Sequence, residues 1–220
     1  MQLITSWLGK QTEFVLSGCK NPIHGEIIDI GNDIVVVYED NRFIYIPIHH
    51  LQQMKLAPNR SNMAITTPPD PAIDHSKISY RKILMNSRGI FSEISLGDKS
   101  IHGYVTAIMN DYFVFFSPLH HSVYISVKHL KYIVPYPINT TPFSLKHEHF
   151  PIQPASISLS RTLEQQLYKL EGQLVTLNLG AKPYRAGFLK KIDGNLLELV
   201  EAEGKSLIMH TDHIQTIHVP

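Results

Sequence analysis

One cysteine, 18% charged residues and a formal net charge of +1 deprive several protein classes of support in this 220-residue chain. A lone thiol, Cys19, excludes an internal disulfide framework and points to maturation in a reducing compartment. The 20 Lys and Arg barely exceed the 19 Asp and Glu, so no general attraction to a polyanion follows. So low a charge content also speaks against a disordered or coiled-coil chain, while 43% apolar residues suffice for a folded core. No apolar run is long enough to cross a bilayer. The start, MQLITSWLGKQTEF, lacks the basic residues and long apolar stretch of a signal peptide. The expectation is a cytosolically made protein, soluble or assembly-forming, with no membrane span.

Histidine is plentiful, at 13 residues, which raises the possibility of a metal site or a catalytic base. Internal repetition answers first. YIPIHHLQQMKL (45–56), YISVKHLKYIVP (124–135) and LIMHTDHIQTIHV (207–219) each run from alternating apolar residues to a histidine, then Leu or Ile, then a further apolar residue. The shared histidines are His50, His129 and His213, and they follow Gly25, Gly103 and Gly187 by 25, 26 and 26 residues. Eight residues after each glycine stands Asp33, Asp111 or Asn195.

Within each copy, β-branched and aromatic residues alternate between turn residues, the period-two signature of strands. TEFVLS, GIFSEIS and LVTLNL open the copies. Strands follow that end near Ile30, Ile108 and Ile192, then DIVVVYE, DYFVFFS and NLLELVE, then FIYIPI, VYISV and SLIMH, and last QQMKL, KYIVP and QTIHV. The fold class expected is mainly β: three tandem small SH3/Sm-like β-barrel modules with short flanking helices. SLSRTLEQQLYKLEG (158–172) reads as the clearest helix, with Leu163, Leu167 and Leu170 at helical spacing, Ser160 as cap and Gly172 past its end. SKISYRKILMNSRG (76–89) and LITSWLG are weaker equivalents. The expected domains are a first module at 1–57, a Pro-rich linker at 58–75, a second module with its leading helix at 76–136, a linker at 137–157 and a third module at 158–220. Ile65, Ile138, Phe143 and Phe150 would anchor the linkers along the modules.

The residues argue structure over chemistry. His49 and His50 are adjacent, and neighbouring strand residues point to opposite faces, so they make a poor chelating pair. His147 and His149 are better spaced but sit in a linker. His50, His129 and His213 are expected to satisfy backbone groups where the chain bends between strands, with contact between modules as a lesser option. The three glycines are expected where a Cβ has no room. Cys19, in LSGCKNP, has no counterpart in the other copies, and no GxxxxGKS/T, HExxH or GxSxG pattern occurs. The expectation is no enzyme, no cofactor and no metal. RNA or DNA binding by an Sm-like protein is the alternative; aromatics in DYFVFF and VYIS would then stack on bases, but such alternation belongs more often to a core.

The repeated pattern of glycine, strand, Asp/Asn turn, strand, Tyr/Ile strand and x-His-Leu/Ile-x-x-Ile resembles the spore coat protein B family of endospore-forming Bacillus-type bacteria. The resemblance covers residues 25–56, 103–134 and 187–219 with their upstream strands. Members of that family have a Gly-Gly-Pro-Glu-like loop before the strand glycine, where this chain has SGCKNPIHG, SLGDKSIHG and NLGAKPYRAG. Their long Ser/Lys/Arg-rich tail has no counterpart after Pro220. What the resemblance implies is a structural component of the spore coat, made in the mother-cell cytoplasm and moved to the coat, with other coat proteins as partners; the uneven charge of the modules would separately favour docking on copies of the chain. Its contacts are expected at turns that differ between copies: Asp40 and Asn41, His120 and His121, Glu203 and Gly204.

Overall fold

The computed structural model describes residues 2–57, 78–137, 142–144, 158–179 and 185–220. The protein is mainly β, and the fifteen strands among the described residues form one antiparallel sheet. The first five are β1 (Gln11–Leu16), β2 (Ile23–Ile30), β3 (Ile34–Glu39), β4 (Arg42–Pro47) and β5 (Leu51–Leu56). Next come β6 (Phe91–Ser95), β7 (Ser100–Ile108), β8 (Tyr112–Ser117), β9 (His121–Ser126) and β10 (Tyr132–Pro135). The last are β11 (Leu174–Leu177), β12 (Arg185–Asp193), β13 (Leu196–Val200), β14 (Ser206–His210) and β15 (Thr216–His218). Among the described residues, the short helices α1 (Gln2–Thr5), α2 (Tyr80–Asn86) and α3 (Leu163–Tyr168) precede the three sets of strands. No helix among the described residues is long and apolar enough to cross a membrane.

The order across the sheet is β14-β13-β12-β11-β15-β9-β8-β7-β6-β10-β4-β3-β2-β1-β5. Each group of five therefore has the same internal order, fourth-third-second-first-fifth. The groups are spliced by pairing the fourth strand of one with the fifth of the next. Ile133 of β10 stands opposite Tyr45 of β4, and Ile217 of β15 stands opposite Tyr124 of β9.

Side-chain alternation explains why the splices hold. From β3, Val35 and Val37 enter the first group's own core, while Ile34, Val36 and Tyr38 face out and join the core of the second group. From β8, Phe113 and Phe115 fill the second core, and Tyr112 and Val114 join the third. Both faces of these strands are thus buried, which requires apolar residues at every position and not at alternate ones. The next group's leading helix seals each junction: Ile83 and Leu84 of α2, and Leu167 of α3, are at most 1% exposed.

The helices are shorter than their sequence patterns. Ser160 does not cap α3; Thr162 does, accepting from the Gln165 amide, while the Ser160 amide bonds to Gln166 Oε1 at 2.8 Å. Gly172, with φ of +80°, follows after a further turn, and Gly9 and Gly89 occupy the matching places with φ of +74° and +73°. Of the proposed linker anchors, Phe143 is half exposed with its ring edge-on to Phe91 at 6.0 Å. Ile65, Ile138 and Phe150 lie outside the described residues.

Candidate functional site

The recurring residues fall into three kinds of place. Gly25, Gly103 and Gly187 lie on the second strand of each group where it presses on the third. A Cβ on Gly25 would come within 2.5 Å of Val37 Cγ1 and 2.7 Å of the Tyr38 carbonyl oxygen. On Gly103 and Gly187 it would collide with the carbonyl oxygens of Phe116 and Val200, which are the residues equivalent to Tyr38. A few residues further on, each second strand carries a bulge, between Ile27 and Asp29, Val105 and Ala107, and Leu189 and Lys191. Close approach, followed by a bulge, bends the strand sharply.

Asp33, Asp111 and Asn195 occupy the turn before the third strand. Their backbone carbonyls accept from the amides of Ile48, Val127 and Thr211 at 2.9, 2.9 and 2.8 Å, which ties each turn to the segment after the fourth strand. The two carboxylates also reach the following helix. Asp33 Oδ1 accepts from the Tyr80 amide at 2.8 Å, and Asp111 Oδ1 accepts from the Leu163 amide at 2.9 Å. Each satisfies an amide that the first turn of a helix leaves open. Asp111→Ala is expected to cost about 1.5 kcal/mol, the range for a charge-assisted bond to a helix terminus, whereas Asn is expected to retain part of it. Urea unfolding midpoints of the two variants check this.

His50, His129 and His213 end one-turn 3-10 segments, 48–50, 127–129 and 211–213, that join the fourth strand to the fifth. The first two face the next group. His129 Nε2 pairs with the Asp212 carbonyl at 2.9 Å. His50 has its Nε2 by the equivalent backbone, that of Lys128, without completing a hydrogen bond. Its Nδ1 lies 3.0 Å from Ser17 Oγ and 3.2 Å from Lys131 Nζ, so the imidazole accepts there. His50 and His129 are therefore joints between groups as well as corners within them, a larger share of contact between modules than their sequence context suggested. Sequence reading also missed their partners, Ser17, Lys131 and Asp212; nothing in their spacing marks them.

Burial, reinforced by Lys131 and His49, holds His50 down to about 3 from the usual 6.5. Between those values the unfolded chain binds a proton that the folded chain refuses. Stability is then complete above pH 6.5 and is lost as pH falls toward 3. Denaturation midpoints from pH 7.5 to 5 should decline, with His50 contributing up to about 1.4 kcal/mol per pH unit. His50→Gln should flatten that slope by up to one proton. An unchanged slope would contradict a neutral buried imidazole.

The variable turns lie at the surface or close to it. Asp40 and Asn41 have φ of 46° and 61°, the left-handed pair of a tight hairpin, with Asn41 Oδ1 accepting from Tyr38 at 3.1 Å. His121, φ 52°, stacks edge-on with Phe116, and burial lowers the pKa of His120. Glu203 pairs with Lys205 at 2.6 Å beside Gly204, all exposed. A cleft of about 550 Å³ runs along the turns of the second and third groups, between His49, Tyr80, Lys128, Glu164, Asn195 and Asp212. Its charges are mixed, and Lys128 holds Asp212 at 2.6 Å, keeping that carboxyl below its ordinary range.

Among the described residues no group of three or more His, Cys, Asp and Glu is placed to hold a metal ion. His147 and His149 lie outside them. Cys19 is half-buried, with Sγ 3.7 Å from the Gly97 carbonyl at the first junction, and burial raises its pKa. The aromatics Tyr112, Phe113, Phe115 and Tyr124 are at most 2% exposed, so they present no stacking surface.

The chain is similar to known proteins both in part and over its whole length. The family model described as "YwrJ third domain" matches residues 162–217, the span of α3 and β11–β15. Over 226 aligned residues, the chain is 37% identical to the uncharacterized protein YwrJ of Bacillus subtilis (strain 168), covering 100% of both chains.

Proposed function

The chain belongs to the YwrJ family, whose Bacillus subtilis member it matches over its whole length; from its repeated architecture we propose that it is a non-catalytic structural protein of the bacterial endospore coat. Each group of five strands curls into a small SH3/Sm-like barrel, its fifth strand returning to pair with its first. The three barrels, joined through one sheet, offer several attachment points at once, so that linked weak contacts sum to durable retention.

One observation carries this reading: the repeated polar residues are spent on joining the framework. Asp33 and Asp111 bind helix amides of the next group, and His50 and His129 face the next group's backbone or side chains. What differs between copies is the hairpin turn, Asp40-Asn41, His120-His121 or Glu203-Gly204. A frame held constant with variable, outward turns suits a scaffold that meets different neighbours. The Bacillus source of the relative agrees with a setting in an endospore former. The test is a fluorescent fusion in a sporulating host. A shell around the forespore is expected; a diffuse or nucleoid signal would overturn the proposal.

A further inference from the structure

The two ends of the sheet carry matching halves of the junction that the chain makes twice internally. The outgoing half, on third and fourth strands, is Ile34, Val36 and Tyr45 in the first group and Tyr112, Val114 and Tyr124 in the second, each at most 2% exposed. Alignment on Asp33, Asp111 and Asn195 and on the recurring histidines puts Leu196, Glu198 and Ile208 at these places in the third group. There Leu196 is 47% exposed and Ile208 58%. The incoming half, on leading helix and fifth strand, is Ile83, Leu84 and Ile133, then Gln166, Leu167 and Ile217, all at most 1% exposed. Alignment on Gly9, Gly89 and Gly172 and on the same histidines gives Leu3, Ile4 and Met54 in the first group. Leu3 is 90% exposed, and Leu56, two residues past Met54, is 44% exposed.

The strand edges match as well. Among the described residues, β14 pairs only with β13 and β5 only with β1, which leaves one fourth-strand edge and one fifth-strand edge unpaired there. β14 reads SLIMH, with neither Pro nor Lys to blunt it, the condition under which an edge accepts another strand. Among the described residues, no further group stands against His213 as the second and third groups stand against His50 and His129. Residue chemistry is also consistent across junctions. Apolar Ile34 shares a core with apolar Ile83, while Tyr112 donates to Gln166 Oε1 at 3.2 Å. At the free ends the corresponding residues, Leu196 and Leu3, are both apolar.

We propose that a second copy of this chain docks head to tail, β14 of one pairing antiparallel with β5 of the next in the internal register, so that Ile208 stands opposite Met54. The contact is heterologous, and successive copies extend the sheet. Glu198 sits where the other groups have Val36 and Val114. It is already bound by Lys190 at 2.9 Å and Ser206 at 2.7 Å, and it makes this junction weaker and more concentration-dependent than the internal two. The inference stands on topology and exposure alone and holds whatever layer the chain serves.

Light scattering on the full chain tests it, with Leu3→Lys and Ile208→Glu as variants at exposed positions on opposite ends. The wild type is expected to exceed its 25.0 kDa monomer mass increasingly with concentration. Each variant alone is expected to stay monomeric, with unchanged circular dichroism and melting midpoint. Mixed one to one, they are expected to give a dimer and nothing larger, because each blocks one end and leaves the other intact. A wild type that stays monomeric at every concentration would overturn the proposal. So would variants that associate alone as the wild type does, or a mixture that stays monomeric.

Discussion

Gly103→Ala is expected to destabilise the folded chain by about 3 kcal/mol, the upper end of the range for forcing an added carbon into a packed interior. The new Cβ would meet the Phe116 carbonyl oxygen, and the Phe115 ring at 2.9 Å. Neither can retreat cheaply. Phe116 is paired with Tyr104 in the β7–β8 ladder, and Phe115 is fully buried in the second core. The sign is informative, because alanine in an ordinary strand position is better than glycine by roughly 0.5–1 kcal/mol. A stabilised variant in urea unfolding would show that the strands do not approach as described. Gly25→Ala is expected to move the same way, against Val37 and Tyr38.

Tyr124→Ala should cost about 3–4 kcal/mol, in the range for removing a large buried aromatic. Tyr124 belongs to the second group, yet its side chain packs into the third group's core, opposite Ile217. In a free-standing second group that face would meet water, and substitution there would stay within about 0.5 kcal/mol. A large loss measures the splice itself. The variant should also broaden the unfolding transition, as the third group loosens ahead of the others. A small loss with an unchanged transition would mean that the groups fold separately.

Much of this architecture is written locally in the chain. The glycines, the Asp/Asn turns and the strand runs repeat because each group must solve the same bending problem with the same backbone. Helix ends were less legible: the expected cap, Ser160, gives way to Thr162, because Gln166 Oε1 bonds to the Ser160 amide. The splices were not read at all, since backbone hydrogen bonds between strand edges leave no side-chain spacing behind. One signal was nevertheless present. IVVVYE, RFIYIP and YFVFFS are apolar at almost every position, the mark of strands covered on both faces, whereas LLELV carries Glu198 at an outward place. Read that way, the first two groups announce that something packs on them, and the third announces a different exterior. The junction role of His50 was hidden for a related reason: Lys131 lies 81 residues away and comes near only because β10 adds to β4.

The account rests on three repeated groups joined into one cooperative sheet, and calorimetry of the full chain tests it most directly. At about 0.7 kcal/mol per residue, unfolding as a single unit gives a van't Hoff enthalpy of roughly 150 kcal/mol that equals the calorimetric value. Resolved transitions, or one whose van't Hoff enthalpy is only about 50 kcal/mol, the size for a single group, would contradict it.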